Sequence, residues 1–372
     1  EEQKENGDIA FDVPDIRIYY ACKALSNINV LRLFNEAGAG LDTVSIGEVR
    51  LGLKAGFDKK DILFTPNMVS QHEMDAAIER GVRINIGNLD TLEYVGMNYP
   101  GYPVCIRINP HIMAGGNRKV SVGHIDSKFG ISIHQMPRVH RLVETLNIDV
   151  EGIHMHNGSD ILDPEVFIIG ADILFKEALA FDDLDYIDFG SGFKVKYKED
   201  DIETDIEDIG KRMSERFASF TEDYGKNLEL AFEPGKYLVS EAGYFFAPVN
   251  VVKQTTSTVF AGVDSGFNHF IRPMFYDAHH DIVNISNPNG KKKIYSVVGY
   301  ICESDTFGAN RILNEVEAGH ILVFKNAGAY SYVMASNYNS RPRPAEVLIK
   351  GGTHRLIREH EDFEDILDKQ IY

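Results

Sequence analysis

Cysteine is scarce. Only Cys22, Cys105 and Cys302 occur in 372 residues. Three thiols without a spacing pattern do not make a disulfide framework. No C-x-x-C pair is present, which argues against a structural zinc site. Positive charge is short as well: Lys plus Arg number 38 against 56 Asp plus Glu, giving a formal charge of −18. That balance argues against a nucleic-acid or anionic-membrane surface. No apolar run reaches the roughly 18 residues of a membrane span. The opening EEQKENGD is acidic, unlike a secretory leader. The N-x-S matches at Asn157 and Asn284 are therefore read as chance. These absences leave a soluble chain, expected in the cytoplasm, with metal, membrane and nucleic acid set aside.

What is present is a rhythm. Apolar or β-branched runs recur at 16–23, 41–45, 62–66, 82–87, 102–110, 150–159, 184–192 and 228–235. Amphipathic stretches lie between most of them, as at 29–38, 48–57 and 71–82, several closing on glycine. Eight strand–helix units predict an α/β fold, a (β/α)8 TIM-like barrel. The alternative is an open, doubly wound sheet. It is less favoured because every loop after a strand carries polar residues. Beyond about residue 245 the helical patterns stop. Strand patterns at 244–254, 256–265, 292–301, 320–328 and 345–352 predict a mainly antiparallel β-domain. The expected division is a polar tail 1–12, a barrel 13–243 and a C-terminal β-domain 244–372 with a terminal helix within 358–370.

Barrels collect function at the C-terminal strand ends. Those ends read Lys23, Asp42, Thr65-Pro66-Asn67, Arg107, His154/His156 with Ser159, Gly190-Ser191-Gly192, and Glu233-Pro234-Gly235-Lys236. A lysine desolvated in an apolar mouth becomes an amine nucleophile. Its plainer reading is a lysine that snorkels. Gly190, Gly192 and Gly235 let backbone N–H groups approach an anion, on the loops where this architecture holds phosphate. Two ordinary tight turns would look the same. Asp188 reads as structural. Glu233, after Leu230, Ala231 and Phe232, needs a cationic partner. A protonated pyridine nitrogen would serve, and so would Arg107 or Lys236. His154 and His156 share a face, with Ser159 beyond. Metal is disfavoured for want of HExxH or a carboxylate cluster. A nucleophilic lysine, a phosphate cradle, a carboxylate for a ring nitrogen and a stacking imidazole together describe pyridoxal 5'-phosphate. In the β-domain, Cys302 stands beside Glu303 and Asp305. Arg272, Tyr276 and Tyr330 add a carboxylate fork and phenols.

In this order YYACKA, HMHNGSD, DFGSGF, EPGK, CESD and NAGAY resemble the group IV pyridoxal-phosphate decarboxylases, over about residues 14–370. The diaminopimelate branch is the nearest in pattern. The resemblance implies an alanine-racemase-like barrel with a β-domain. It implies decarboxylation of meso-2,6-diaminopimelate to L-lysine, the last step of lysine biosynthesis. Lys23 would carry the cofactor as a Schiff base. His156 would stack on its ring and Ser159 would bind its phosphate, helped by Gly190, Gly192 and Gly235. Glu233 would hold the ring-nitrogen proton. Cys302 would return a proton after CO₂ leaves, and Tyr330 would contact both cofactor and substrate. Arg272, Tyr276 and Glu303 would hold the substrate's far end. The Cys302 segment would reach into a partner's site, so a homodimer with shared active sites is implied.

There are two departures. The family's EPGR is EPGK here, so Lys236 has the charge without the fork for its cofactor and substrate contacts. The family also opens with a segment like TPFYVYD and a helix; EEQKENGDIAF stands here, which reads as a trimmed or incomplete start. The competing substrates are carboxynorspermidine, ornithine and lysine. Glu303-Ser304 after the cysteine, where ornithine relatives have Asp-Gly, favours diaminopimelate. A catalytically silent regulatory protein would be expected to lack Lys23 or Cys302. A racemase would need a second base, which CESD does not suggest.

Overall fold

The computed structural model describes residues 11–112 and 126–371. Of the expected polar tail, residues 1–10 fall outside the described residues. The chain divides into two compact units. One runs to Lys196 and resumes over Ile202–Leu238; the other takes Tyr197–Asp201 and everything from Val239. The second unit's main segment thus begins at Val239, at the end of the short helix Lys236–Val239.

The first unit is the expected barrel. Its strands are β1 (Ile16–Ala21), β2 (Gly40–Thr43), β3 (Ile62–Phe64), β4 (Arg83–Ile86), β5 (Val104–Asn109), β7 (Val150–Met155), β8 (Tyr186–Asp188) and β9 (Glu229–Phe232), with a two-residue β6 (Ile131–Ser132) beside β5. Each pairs in parallel with the next. The β4–β5 and β9–β1 pairings close the ring, which rules out the open sheet. Every residue of β5 and β7 is buried, as expected where side chains fill both faces. Tyr19, Leu63, Cys105, Tyr186 and Ala231 pack together from five of the strands.

Local chemistry sets the helices between the strands. Ser45 and Ser70 cap the N-termini of 46–55 and 71–80 by accepting backbone N–H bonds from Glu48 and Glu73. Gly56 and Gly81 end those helices in the left-handed conformation. At the strand starts a buried ion network forms. Arg83 donates to the Tyr19 hydroxyl at 2.6 Å, lies 3.5 Å from Glu229 and 3.8 Å from Glu151, and covers the Tyr186 ring.

The second unit contains a six-stranded sheet in the order β12 (Ile282–Asn284), β15 (Ile321–Phe324), β10 (Phe245–Gln254), β11 (Val259–Val263), β13 (Lys292–Val298) and β14 (Thr306–Asn314). All pairs are antiparallel except β11–β13. A separate hairpin joins β16 (Glu346–Lys350) to β17 (Thr353–Arg358). The expected terminal helix shrinks to Phe363–Leu367: β17 takes Arg358, and the helix starts only where Asp362 caps it. No helix among the described residues is long and apolar enough to cross a membrane.

Candidate active site

Lys23 follows β1 on the short 3-10 turn Cys22–Ala24. The expected desolvated ammonium is corrected: Lys23 is exposed, because the turn lifts it out of the strand. Its neighbours Cys22 and Ala24 carry the burial instead. Its charge still reaches the site, acting on Glu233, Asp42 and His156.

Main-chain bonds knit the strand-end loops together. The Ala21 N–H donates to the Pro234 carbonyl at 3.2 Å, which ties the lysine turn to the EPG loop. The Glu233 N–H donates to the Gly190 carbonyl at 2.6 Å. Ile161 N–H donates to the Gly192 carbonyl at 2.9 Å, joining the loops after β7 and β8. Glycine is needed at two points. Gly190 has φ +60°, and a Cβ there would lie 2.6 Å from His156 Nδ1. Gly192 has φ +136°, and its Cβ would lie 2.4 Å from the Gly158 carbonyl oxygen. Only a residue without Cβ allows these loops to close so tightly. Half-buried Ser159 stands on the same loop as Gly158.

Glu233 is buried. Its partner is neither Arg107 nor Lys236. His154 Nε2–H donates to Glu233 Oε2 at 3.1 Å. A longer contact, 3.5 Å, runs from the Thr65 hydroxyl to Oε1, and the Asn85 amide donates to Thr65 at 3.4 Å. Burial disfavours charge on both members of the pair. It wins at His154, whose pKa is lowered, so the ring is neutral. It loses at Glu233, held down at about 2, because His154, His156 and Lys23 outweigh it. Asp42 and Asp188 go the other way. Burial first, then the Glu233 charge, pushes both carboxyls well up. Asp188 Oδ1 accepts the Gly190 N–H at 2.7 Å, the structural role expected of it. Among the described residues, Asp188 Oδ2, Asp42 Oδ1 and His154 Nδ1 are buried without hydrogen-bond partners.

The two histidines separate. β7 ends at Met155, so His154 stays in the barrel while His156 leaves the strand. His156 Nδ1 accepts the Ser191 N–H at 3.1 Å. Burial, then Lys23 and Arg107, lowers its pKa well below the usual range. The expectation that no carboxylates accompany the histidines is corrected. His154, Asp188 and Glu233 offer ligand atoms within 4.8 Å of one another. Lys23 and Arg107 add positive charge there, and His154 Nε2 is already taken up by Glu233. Lys236 is ion-paired with Asp160, the residue after Ser159.

A neutral imidazole held by its rim, an ionised buried carboxylate and a glycine-built cradle fit a phosphorylated pyridine. The orphaned acceptors fit a site that expects a polar guest.

The second unit holds its own group. Arg272 is buried among Tyr197, Tyr276 and Tyr330, with ring centroids 5.3, 5.9 and 6.0 Å from its guanidinium carbon. Cys302 and Glu303 are exposed on the loop between β13 and β14. Asn339 and Tyr338 are their hydrogen-bond partners, so the structure does not bring Glu303 to Arg272. Asp305 is a loop tie, accepting from Phe267 and Ile301 N–H groups at 2.6 and 2.8 Å. Thr65 and His154 were read only as strand ends; their service to Glu233 was missed, although the strand-end positions were the available signal. Tyr197 and His280 were missed outright.

Known proteins resemble this chain along nearly its whole length. Residues 3–240 match the family model described as pyridoxal-dependent decarboxylase, pyridoxal binding domain. The diaminopimelate decarboxylase of Methanothermobacter thermautotrophicus is 38% identical, over 95% of this chain and 85% of the relative. That of Escherichia coli is 34% identical, over 97% and 89%. The crystal structure of diaminopimelate decarboxylase from Helicobacter pylori, complexed with L-lysine, superposes with a TM-score of 0.90 at 31% identity, covering 98% of this chain and 93% of that one. On sequence and fold alike, the chain belongs to the pyridoxal-dependent decarboxylases, in the diaminopimelate decarboxylase family.

Proposed function

We infer that the chain is a carboxy-lyase that converts meso-2,6-diaminopimelate to L-lysine and CO₂. The observation that carries this is Glu233, an ionised buried carboxylate steadied by His154 at the mouth of a barrel whose first strand is followed by Lys23. Pyridoxal phosphate, when bound, supplies an electron sink for the pair of electrons left by departing CO₂.

The chain's own residues do the rest. Lys23 provides the amine that carries the cofactor. Glu233 holds a proton on the ring nitrogen, which keeps the ring electron-poor. His156, neutral and fixed by Ser191, offers a flat face for stacking. Ser159 and the N–H groups at Gly192 and Gly235 take the phosphate, while the N–H groups of Gly190 and Ser191 are held by Asp188 and His156 and shape the loop. Lys236, paired with Asp160, adds positive charge beside the Ser159 loop. Arg272 takes the far carboxylate of the substrate, with Tyr276 and Tyr330 beside it. Glu303 takes the far ammonium, and the Cys302 thiol returns a proton to carbon.

Cys302 and Glu303 are exposed, with Asn339 and Tyr338 as their hydrogen-bond partners, which suits residues that complete a second copy's site in a homodimer. Three free thiols suit a reducing compartment such as the cytoplasm.

The test is CO₂ release from meso-diaminopimelate with added pyridoxal phosphate, run beside ornithine, L-lysine and carboxynorspermidine. Release from meso-diaminopimelate alone, abolished in Lys23→Ala, is expected. Release from one of the other three instead would move the chain to a sister activity.

A further inference from the structure

Arg272 starts a helix of five residues, Arg272–Tyr276. Asp277 ends it in the left-handed conformation, with φ +55° and its N–H bonded to the Arg272 carbonyl. The chain turns back on itself there, and His280 returns beside the arginine. His280 is fully buried. Its Nδ1 meets the Lys325 carbonyl at 2.9 Å. A carbonyl only accepts, so Nδ1 carries the hydrogen and Nε2 presents a lone pair. Arg272 Nε–H donates to that lone pair at 3.3 Å. Arg272 Nη2 donates to the Tyr197 hydroxyl, also at 3.3 Å. Tyr197 and Phe270 pack edge-on against the His280 ring, at 5.2 and 4.5 Å. Burial holds the His280 pKa down at about 3, so the acceptor stays an acceptor.

We propose that His280, with Tyr197, is a positioning residue: it occupies the Nε side of Arg272 and thereby aims the Nη1/Nη2 end of the fork at the substrate's remaining carboxylate. This rests on Arg272 as the carboxylate clamp. A guanidinium has five N–H donors in a rigid plane. Fixing the side edge fixes the direction of the end edge. A carboxylate then meets two parallel donors without the arginine first losing rotamer freedom.

The experiment compares His280→Asn, which keeps the donor to Lys325 and loses the acceptor, with His280→Gln, which restores an amide oxygen near the Nε2 position. L-lysine retains the far carboxylate after decarboxylation; cadaverine has none. In His280→Asn the KM for meso-diaminopimelate and the L-lysine inhibition constant should rise about tenfold or more. Inhibition by cadaverine and cofactor absorbance after dialysis should stay at wild-type values. His280→Gln should recover part of the loss. Equal weakening of L-lysine and cadaverine, or no change in either while Arg272→Gln raises the L-lysine constant, overturns the positioning role. If Arg272→Gln leaves L-lysine inhibition unchanged, the clamp reading itself falls. Circular dichroism reports folding, and His280→Gln carries the comparison if His280→Asn unfolds.

Discussion

Glu233 and His154 meet the same burial and resolve it differently. The imidazole loses its charge and becomes a donor; the carboxylate keeps its charge because that donor, His156 and Lys23 face it. The consequence reaches stability. A histidine buried neutral has a lower pKa folded than unfolded, so the unfolded chain binds more protons between the two values. Stability is therefore full above about pH 6.5 and falls as pH drops toward the folded value. For His280 that window runs down to about 3. Glu233 adds a second loss, from about 4.5 down to about 2. Stability should thus decline as pH falls below about 6.5, by up to a few kcal/mol from His280 alone, and the melting temperature should fall with it. The slope should be shallower in His280→Gln, and scanning calorimetry of both proteins across this range checks it. Lys23 was legible because an ammonium at a strand end breaks an apolar pattern. The division of labour between His154 and His156 was not. It depends on where β7 stops, and pairing with β5 and β8 decides that, not the histidines.

At the scale of elements, the loops after β7, β8 and β9 are the proposed anion cradle, and the close packing at Gly190 and Gly192 depends on glycine. Gly192→Ala should cost about 1–3 kcal/mol in local strain. The Gly158 carbonyl stands where the methyl would go. The loop must open to relieve that, so cofactor retention should drop about tenfold or more. Absorbance of the bound cofactor after dialysis measures the loss, and an unchanged far-ultraviolet spectrum shows that the barrel persists. Glycine spacing marked these loops in the sequence. Other elements gave weaker signals. β14 contains Gly308 and Asn310, the latter at φ +52°, and reads as loop; register with β13 makes it a strand. β17, THRLIR, is read as no element of its own in the sequence, and β16 supplies the partner that makes it a strand. Three-residue β12 is held by β15 from far along the chain.

The whole molecule decides whether one copy suffices. If two copies share their sites, as proposed above, Lys23→Ala spoils the barrel side and Cys302→Ala the β-domain side. Each variant alone should be nearly inactive. Mixed and re-associated at equal amounts, half the dimers are hybrids with one intact site of two, so about a quarter of wild-type activity should return. No recovery after verified subunit exchange would place Cys302 in its own chain's site.

The sequence by itself determined the strand–helix rhythm, the two-part division of the chain and the glycine-marked loops at the strand ends, because periodicity, capping and glycine are local properties. Only the tertiary structure decided which groups answer one another. Ring closure between β4 and β5 and between β9 and β1 brings the strand ends together. Thr65 and His154 converge on Glu233 from positions 168 and 79 residues away. The left-handed turn at Asp277 folds His280 back onto Arg272. Hydrogen bonds between distant residues follow from register and closure, and neither property is written at a single position in the chain.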